Sequence, residues 1–213
     1  MKTKMRKIIK NKEPKKWTEY RLTPDVDYES IPELRESLLQ EQGYICAYCM
    51  RRIPHKDKNS NENSRIDHIL SRDKHPDRKL DYGNMVICCP GAISGNFHCD
   101  KFKGEEDITF SLFNDSFIPT LKYSTKTGKI KSSNPDWDAE MNNILNLNHE
   151  ILKANRLEAL NGVITSLVGK QWTTGEVRRK LEEWNNKDKQ GRFKPYCGIV
   201  IWYLNKKLKS MQK

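Results

Sequence analysis

A chain of 213 residues with 36% apolar and 31% charged side chains suits one domain with an appendage or two small domains, and is too polar for one large apolar core. Lys and Arg outnumber Asp and Glu 39 to 28, and the net charge of +11 fits a polyanionic partner, with most of the excess in the segments flanking residues 40–105. No apolar run approaches the roughly 20 residues of a membrane span and the basic start lacks a signal-peptide core, so a cytoplasmic setting is expected, in which the six cysteines serve as metal ligands or core residues.

Residues 1–16 hold eight Lys or Arg against one acid, Glu13, and residues 1–29 read as a basic arm, either touching nucleic acid or simply solvated. Ser30-Ile31-Pro32-Glu33 predicts a helix start capped by Ser30. Leu34, Leu38 and Leu39 form its apolar stripe, and Gly43 ends it. Tyr44-Ile45-Cys46-Ala47-Tyr48-Cys49 follows at once. Residues 54–64 are polar and predict a loop. Arg65–Leu70 and Met85–Cys88 predict two short strands, separated by a charged loop carrying Pro76. Pro90-Gly91 and Ser94-Gly95-Asn96 predict a loop, and a helix is expected from about Cys99-Asp100. Residues 108–135 are irregular or weakly β, with a hairpin turn at Tyr123–Lys129. The rest is helical from Asp136. Leu157, Leu160, Ile164, Leu167 and Val168 share one face. Thr173 with Glu176 makes a capping box before Val177, Leu181 and Trp184, and Ile199, Val200, Tyr203 and Leu204 mark a last helix.

The motifs concentrate between residues 44 and 104. A C-x-x-C turn supplies two thiolates for a tetrahedral zinc, here Cys46 and Cys49. The preferred second pair is Cys89 and Cys99, with nine residues between them, and Cys88 or His98 is the alternative fourth ligand. Cys197 reads as a core residue. Adjacent residues at a strand end can take different tasks: Asp67 can reach a hard divalent cation while His68 prepares a water as general base, near its ordinary pKa of about 6.5. Carboxylate and amide oxygens suit Mg²⁺ or Mn²⁺. Gly83-Asn84 also suits a turn, Asp100 a helix N-cap, and Lys101 and Lys103 either phosphate or solvent. His55, His75 and His149 fit no part of the pattern. Trp137, Trp172, Trp184 and Trp202 read as core or interface residues.

In this order the residues resemble the HNH endonucleases: Cys46-x-x-Cys49, Asp67-His68, Asn84, then Cys89 to Cys99 followed by Asp100-Lys101-Phe102-Lys103-Gly104. The resemblance implies an α+β fold with a zinc-stabilised ββα-metal core (the His-Me finger) in residues 30–107 and a mainly α-helical, partner-docking region in residues 108–213. It implies Asp67 as metal ligand and His68 as general base. Asn84 would orient the loop and the His68 ring, and Asp100 would stand where the family has a metal-binding His or Asn. Two features depart from the family: Asp100 itself and the wide second knuckle, whose loop, Pro90 to His98, is a candidate for touching substrate or a partner. Gln42 to Cys49, Cys89 to Lys101 and Leu145-Asn146-Leu147-Asn148 resemble the PtuB-type members of the Septu and retron-linked anti-phage systems. That likeness implies a PtuA-type ABC/SMC-like ATPase partner, with a retron RNA–DNA and reverse transcriptase module as a further candidate.

The expectation is therefore a metal-dependent endonuclease acting on nucleic acid, with DNA the default substrate and RNA the alternative. A non-catalytic nucleic-acid-binding zinc module and an adaptor that docks an ATPase through its C-terminal helices are the rivals. A binding module needs the cysteines but not Asp67, His68 and Asp100.

Overall fold

The structure, a computed structural model, describes residues 7–53, 64–93, 95–168 and 172–212. It is mixed α+β: seven helices and three two-stranded antiparallel sheets among the described residues. The loop expected at residues 54–64 lies outside the described residues apart from Ser64.

The chain enters through a short helix, α1 (Lys15–Arg21), that periodicity did not suggest in so basic a segment. Trp17 nails it down, fully buried and packed against Tyr20 and Tyr28. Upstream, Ile8 N–H donates to the Leu112 carbonyl at 2.8 Å, and Lys10 pairs with the buried Glu41 carboxylate at 2.9 Å. Residues 7–29 are thus fastened to the body of the molecule.

Helix α2 (Pro32–Gln42) starts on Pro32, whose fixed φ suits the first turn. Its N-cap is Ile31, without a side-chain cap; Ser30 Oγ instead accepts from Arg35. Leu34, Leu38 and Leu39 are buried as the stripe requires. Gly43 ends the helix in the left-handed conformation (φ 62°), and a Cβ there would meet the Phe193 ring at 2.4 Å. The adjacent Gln42 amide is buried. It accepts from Ile87 N–H and donates to the Ile87 carbonyl, both at 2.8 Å, completing the free edge of the next strand pair.

That pair is β1 (Arg65–His68) and β2 (Met85–Cys88), antiparallel, with Asp67 opposite Val86 and His68 opposite Met85. A small hairpin follows, β3 (Ala92–Ile93) with β4 (Asn96–Phe97), where a plain loop was expected. Helix α3 (Asp100–Lys103) starts where a helix was expected and is a single turn, bounded by Cys99 (φ 56°) and Gly104 (φ 56°).

Strands β5 (Leu121–Tyr123) and β6 (Ile130–Ser132) flank the expected hairpin turn. Then come α4 (Pro135–Asn143), α5 (Glu150–Leu167), α6 (Thr174–Asn185) and α7 (Cys197–Met211). Thr173 caps α6 by accepting from Glu176 N–H at 3.2 Å, one half of the expected capping box. The buried side of α5 carries Leu152, Leu160, Val163 and Leu167. Val168, expected on that side, is exposed because the helix stops at Leu167 and Val168 turns extended. Val200 and Leu204 of α7 are fully buried, and the four tryptophans Trp137, Trp172, Trp184 and Trp202 pack on the core half-buried.

The segment between α4 and α5 ties the two halves. Cys99 N–H donates to the Leu145 carbonyl at 2.8 Å, Asn146 Nδ2 to the Phe97 carbonyl at 2.9 Å, and Asn148 holds Ile130 through both its N–H and its carbonyl. No helix among the described residues is long and apolar enough to cross a membrane.

Candidate functional site

Four of the cysteines come together. Cys46 and Cys49 leave the turn after α2, Cys89 leaves the end of β2, and Cys99 precedes α3. All four are buried, with their sulfurs within 4.8 Å of one another. Cys46 Sγ lies 3.8 Å from Cys99 Sγ, and Cys49 Sγ lies 3.7 Å from Cys89 Sγ. A regular tetrahedron around zinc with Zn–S of about 2.3 Å has edges of about 3.8 Å, so the donor set fits the ion in size as well as in softness. Burial pushes the Cys49 and Cys99 thiols up, whereas at Cys46 hydrogen bonds from Cys49, Cys88, Cys89 and Cys99 overcome burial and hold it well below the ordinary thiol range. A cation at the centre would replace this arrangement by thiolate ligation.

The two rival ligands fall outside the four. Cys88 is a buried strand residue opposite Arg65. His98 places Nδ1 3.1 Å from Cys99 Sγ and 3.9 Å from Cys89 Sγ, within hydrogen-bonding reach of both sulfurs. Cys197 is buried beside Met50 Sδ, as expected of a core residue.

Asp67 and His68 occupy the C-terminal end of β1, both buried. Asp67 is held by two groups that sequence reasoning did not connect to it. The Tyr48 hydroxyl, from inside the C-x-x-C turn, donates to Asp67 Oδ2. Lys103, expected at a phosphate, turns inward from α3, and its ammonium donates to Asp67 Oδ1 at 3.2 Å and to the His68 carbonyl at 2.9 Å. Lys101 stays exposed. Burial raises the Asp67 carboxyl to about 7, against the pull of Lys103 and with the help of the neighbouring Asp100 charge. Asp100 itself is tied to Arg65 Nε on β1.

His68 Nε2 lies 2.9 Å from the Lys79 carbonyl. A carbonyl only accepts, so that nitrogen carries the proton and Nδ1 keeps its lone pair. Burial lowers the His68 pKa to about 4, so the ring is neutral over a wider range than the ordinary value near 6.5 implies. Asn84 clamps the loop that supplies this carbonyl. Its Oδ1 accepts from Leu70 N–H at 2.9 Å, and its Nδ2 donates to the Leu70 and Arg78 carbonyls at 2.9 and 3.3 Å. His75 fastens the same loop to Asp107 at 3.0 Å. The other roleless histidine in view, His149, is the N-cap of α5; His55 lies outside the described residues.

Arg72 is the cation the sequence did not single out. It is exposed, with its guanidinium 4.8 Å above the Tyr28 ring, and Tyr28 meets the His68 ring edge-on at 4.6 Å. Its position in an undistinguished charged run left no signal.

No protein-family model matches this chain, and no curated protein matches it.

Proposed function

We propose that the chain is an HNH-type endonuclease that hydrolyses phosphodiester bonds in nucleic acid, with Asp67 and Asp100 holding one hard divalent cation and the four cysteines holding a structural zinc. The observation that carries this reading is the state of His68: its Nε2 proton is committed to Lys79, its ring is neutral, and it shares a strand end with a buried carboxylate. The oxygen donors of Asp67 and Asp100 suit Mg²⁺ or Mn²⁺, and burial together with the Asp100 charge raises the Asp67 carboxyl even with Lys103 beside it. Such a cation would polarise the scissile phosphate and stabilise the leaving oxygen.

His68 Nδ1 takes a proton from the attacking water, and the imidazolium so formed keeps its Nε2 hydrogen bond to Lys79. Arg72, over the Tyr28 ring that meets His68, would contact a phosphate oxygen, and Lys101 a neighbouring phosphate. Lys103 acts as a positioning residue, fixing Asp67 and the backbone of His68 together. Tyr48 carries the rigidity of the zinc turn into Asp67, so the metal staple and the reacting groups form one unit.

DNA remains the default substrate and RNA the alternative. By its resemblance to PtuB-type nucleases, the chain acts in anti-phage defence with an ABC/SMC-like ATPase, and a retron reverse transcriptase module is the further candidate partner. Only Val168 among the described residues of 150–212 is a large exposed apolar side chain, which favours a polar docking surface over an apolar one. The deciding experiment is cleavage of plasmid DNA and of structured RNA with Mg²⁺ or Mn²⁺, with and without the ATPase, for wild type and His68→Ala. Cutting that needs the cation and disappears in His68→Ala, with zinc content unchanged, is the expected result. Equal cutting by both proteins removes His68 from the mechanism. Tight nucleic-acid binding without cutting under any condition favours the non-catalytic zinc module.

A further inference from the structure

Phe97 and Phe102 are 43% and 44% exposed, the only aromatic side chains among the described residues so open to solvent. Isolated exposed apolar residues are ordinary on protein surfaces. These two are not scattered: both lie within three positions of Asp100, on either side of it, in the wide second knuckle. The Lys101 ammonium sits 4.7 Å over the Phe97 ring, joining a cation to the aromatic face. Their backbone is pinned. His98 N–H donates to the Gly91 carbonyl at 2.8 Å, the Phe97 carbonyl accepts from Asn146, and Cys99 N–H is held by Leu145. At Gly91 (φ 71°) a Cβ would strike the His98 carbonyl and Lys101 Cβ at 2.7 Å each, so the hairpin base is pressed directly on α3. The rings are therefore presented by a fixed support flanking Asp100 in the chain, with the exposed Lys101 ammonium over one of them.

We propose that Phe97 and Phe102, with Lys101, form a stacking platform for unpaired nucleobases, so that the substrate reaches the candidate site as a single strand. The proposal rests on the endonuclease reading for its placement beside the cleavage site, but not for its binding chemistry. A base in a duplex has both faces covered by its neighbours; only an unpaired base can lay a face on an aromatic ring. A basic groove interleaved with aromatic rings is the general means of holding single strands without sequence preference. The shared chemistry is an unpaired base on a phosphate chain, which single-stranded DNA and RNA both offer.

The test uses the full chain carrying His68→Ala, with bound zinc and no added Mg²⁺ or Mn²⁺, so that binding is read without cutting. Fluorescence anisotropy would measure a labelled oligonucleotide of about 12 nucleotides as single-stranded DNA, as single-stranded RNA and as a blunt duplex. Replacing either Phe by Ala should weaken single-strand binding roughly tenfold and the pair more, with duplex binding changed less than about twofold; Phe→Tyr should keep the affinity. Zinc content and helicity check that each variant is folded. Unchanged single-strand affinity in the double Ala variant, an equal loss on the duplex, or full affinity with Phe→Leu at both positions would overturn the platform. The DNA and RNA arms show which strand it prefers. A wild type that never cuts, yet loses single-strand binding on these substitutions, would sink the nuclease reading and leave the platform standing.

Discussion

At the scale of single residues, His68 and Asp67 must both lose a proton, but in different pH ranges. The His68 ring, lowered to about 4 by burial, stays neutral through the physiological range, so its protonation limits activity only in strongly acidic solution. At Asp67, raised to about 7, a proton competes with any cation for the carboxylate. Cation affinity should therefore rise with pH up to about 7 and flatten above it. An activity limb near pH 7 at low Mn²⁺ should vanish at saturating Mn²⁺; a limb that stays at about 6.5 under both conditions would restore the ordinary histidine value and refute the buried-ring account. Lys103 tests the same charge. Lys103→Met leaves Asp67 buried without its cation and should cost about 3–5 kcal/mol in urea unfolding near pH 8, where the carboxylate is ionised. The cost should shrink near pH 5, where Asp67 is neutral by protonation. An equal cost at both pH values would mean that packing, not charge, is what Lys103 supplies.

At the scale of elements, the turns carry more of the argument than the strands. The hairpin between β5 and β6 was legible from Gly128, but the reason for glycine is tertiary: φ is 66°, and a Cβ would lie 2.2 Å from the Lys153 carbonyl on α5. Gly128→Ala should cost more than about 1 kcal/mol in thermal or urea unfolding, beyond the ordinary entropy gain of the exchange; a neutral substitution would show that the hairpin is free to move off α5. The four-cysteine knuckle is the second such element. Cobalt substitution should give thiolate charge-transfer absorption that Cys46→Ser or Cys99→Ser abolishes and Cys88→Ser or Cys197→Ser leaves intact. Loss of the signal in Cys88→Ser would reopen the choice of the fourth ligand.

At the scale of the whole molecule, the expected boundary near residue 107 is bridged by hydrogen bonds to the backbone. Cys99 reaches Leu145, Gly43 accepts from Phe193 N–H at 3.0 Å, Met50 accepts from Tyr196 N–H at 2.8 Å, and Arg52 donates to the Phe193 carbonyl. The helical half thus closes around the knuckle that the cysteines fix. Stripping zinc with a chelator should melt the C-terminal helices together with the β1–β2 region, giving one cooperative loss of helicity at a lowered Tm. Two separate transitions would show that the halves are independent units.

The sequence by itself determined what local rules govern. Cys-x-x-Cys, the adjacent Asp67 and His68, the Gly43 stop, the Thr173 cap and the two strands around a charged loop all follow from spacing, period and turn chemistry within a few residues. The buried stripe of α2 was legible for the same reason. Only the tertiary structure decided that Cys89 and Cys99, rather than Cys88 or His98, complete the sulfur tetrahedron; that Lys103 turns inward; that Tyr48 links the knuckle to Asp67; and that Lys79 fixes the His68 proton. Each of these depends on groups many residues apart meeting in a buried, low-dielectric place, where desolvation and partner geometry outweigh the solvated preferences that a sequence displays.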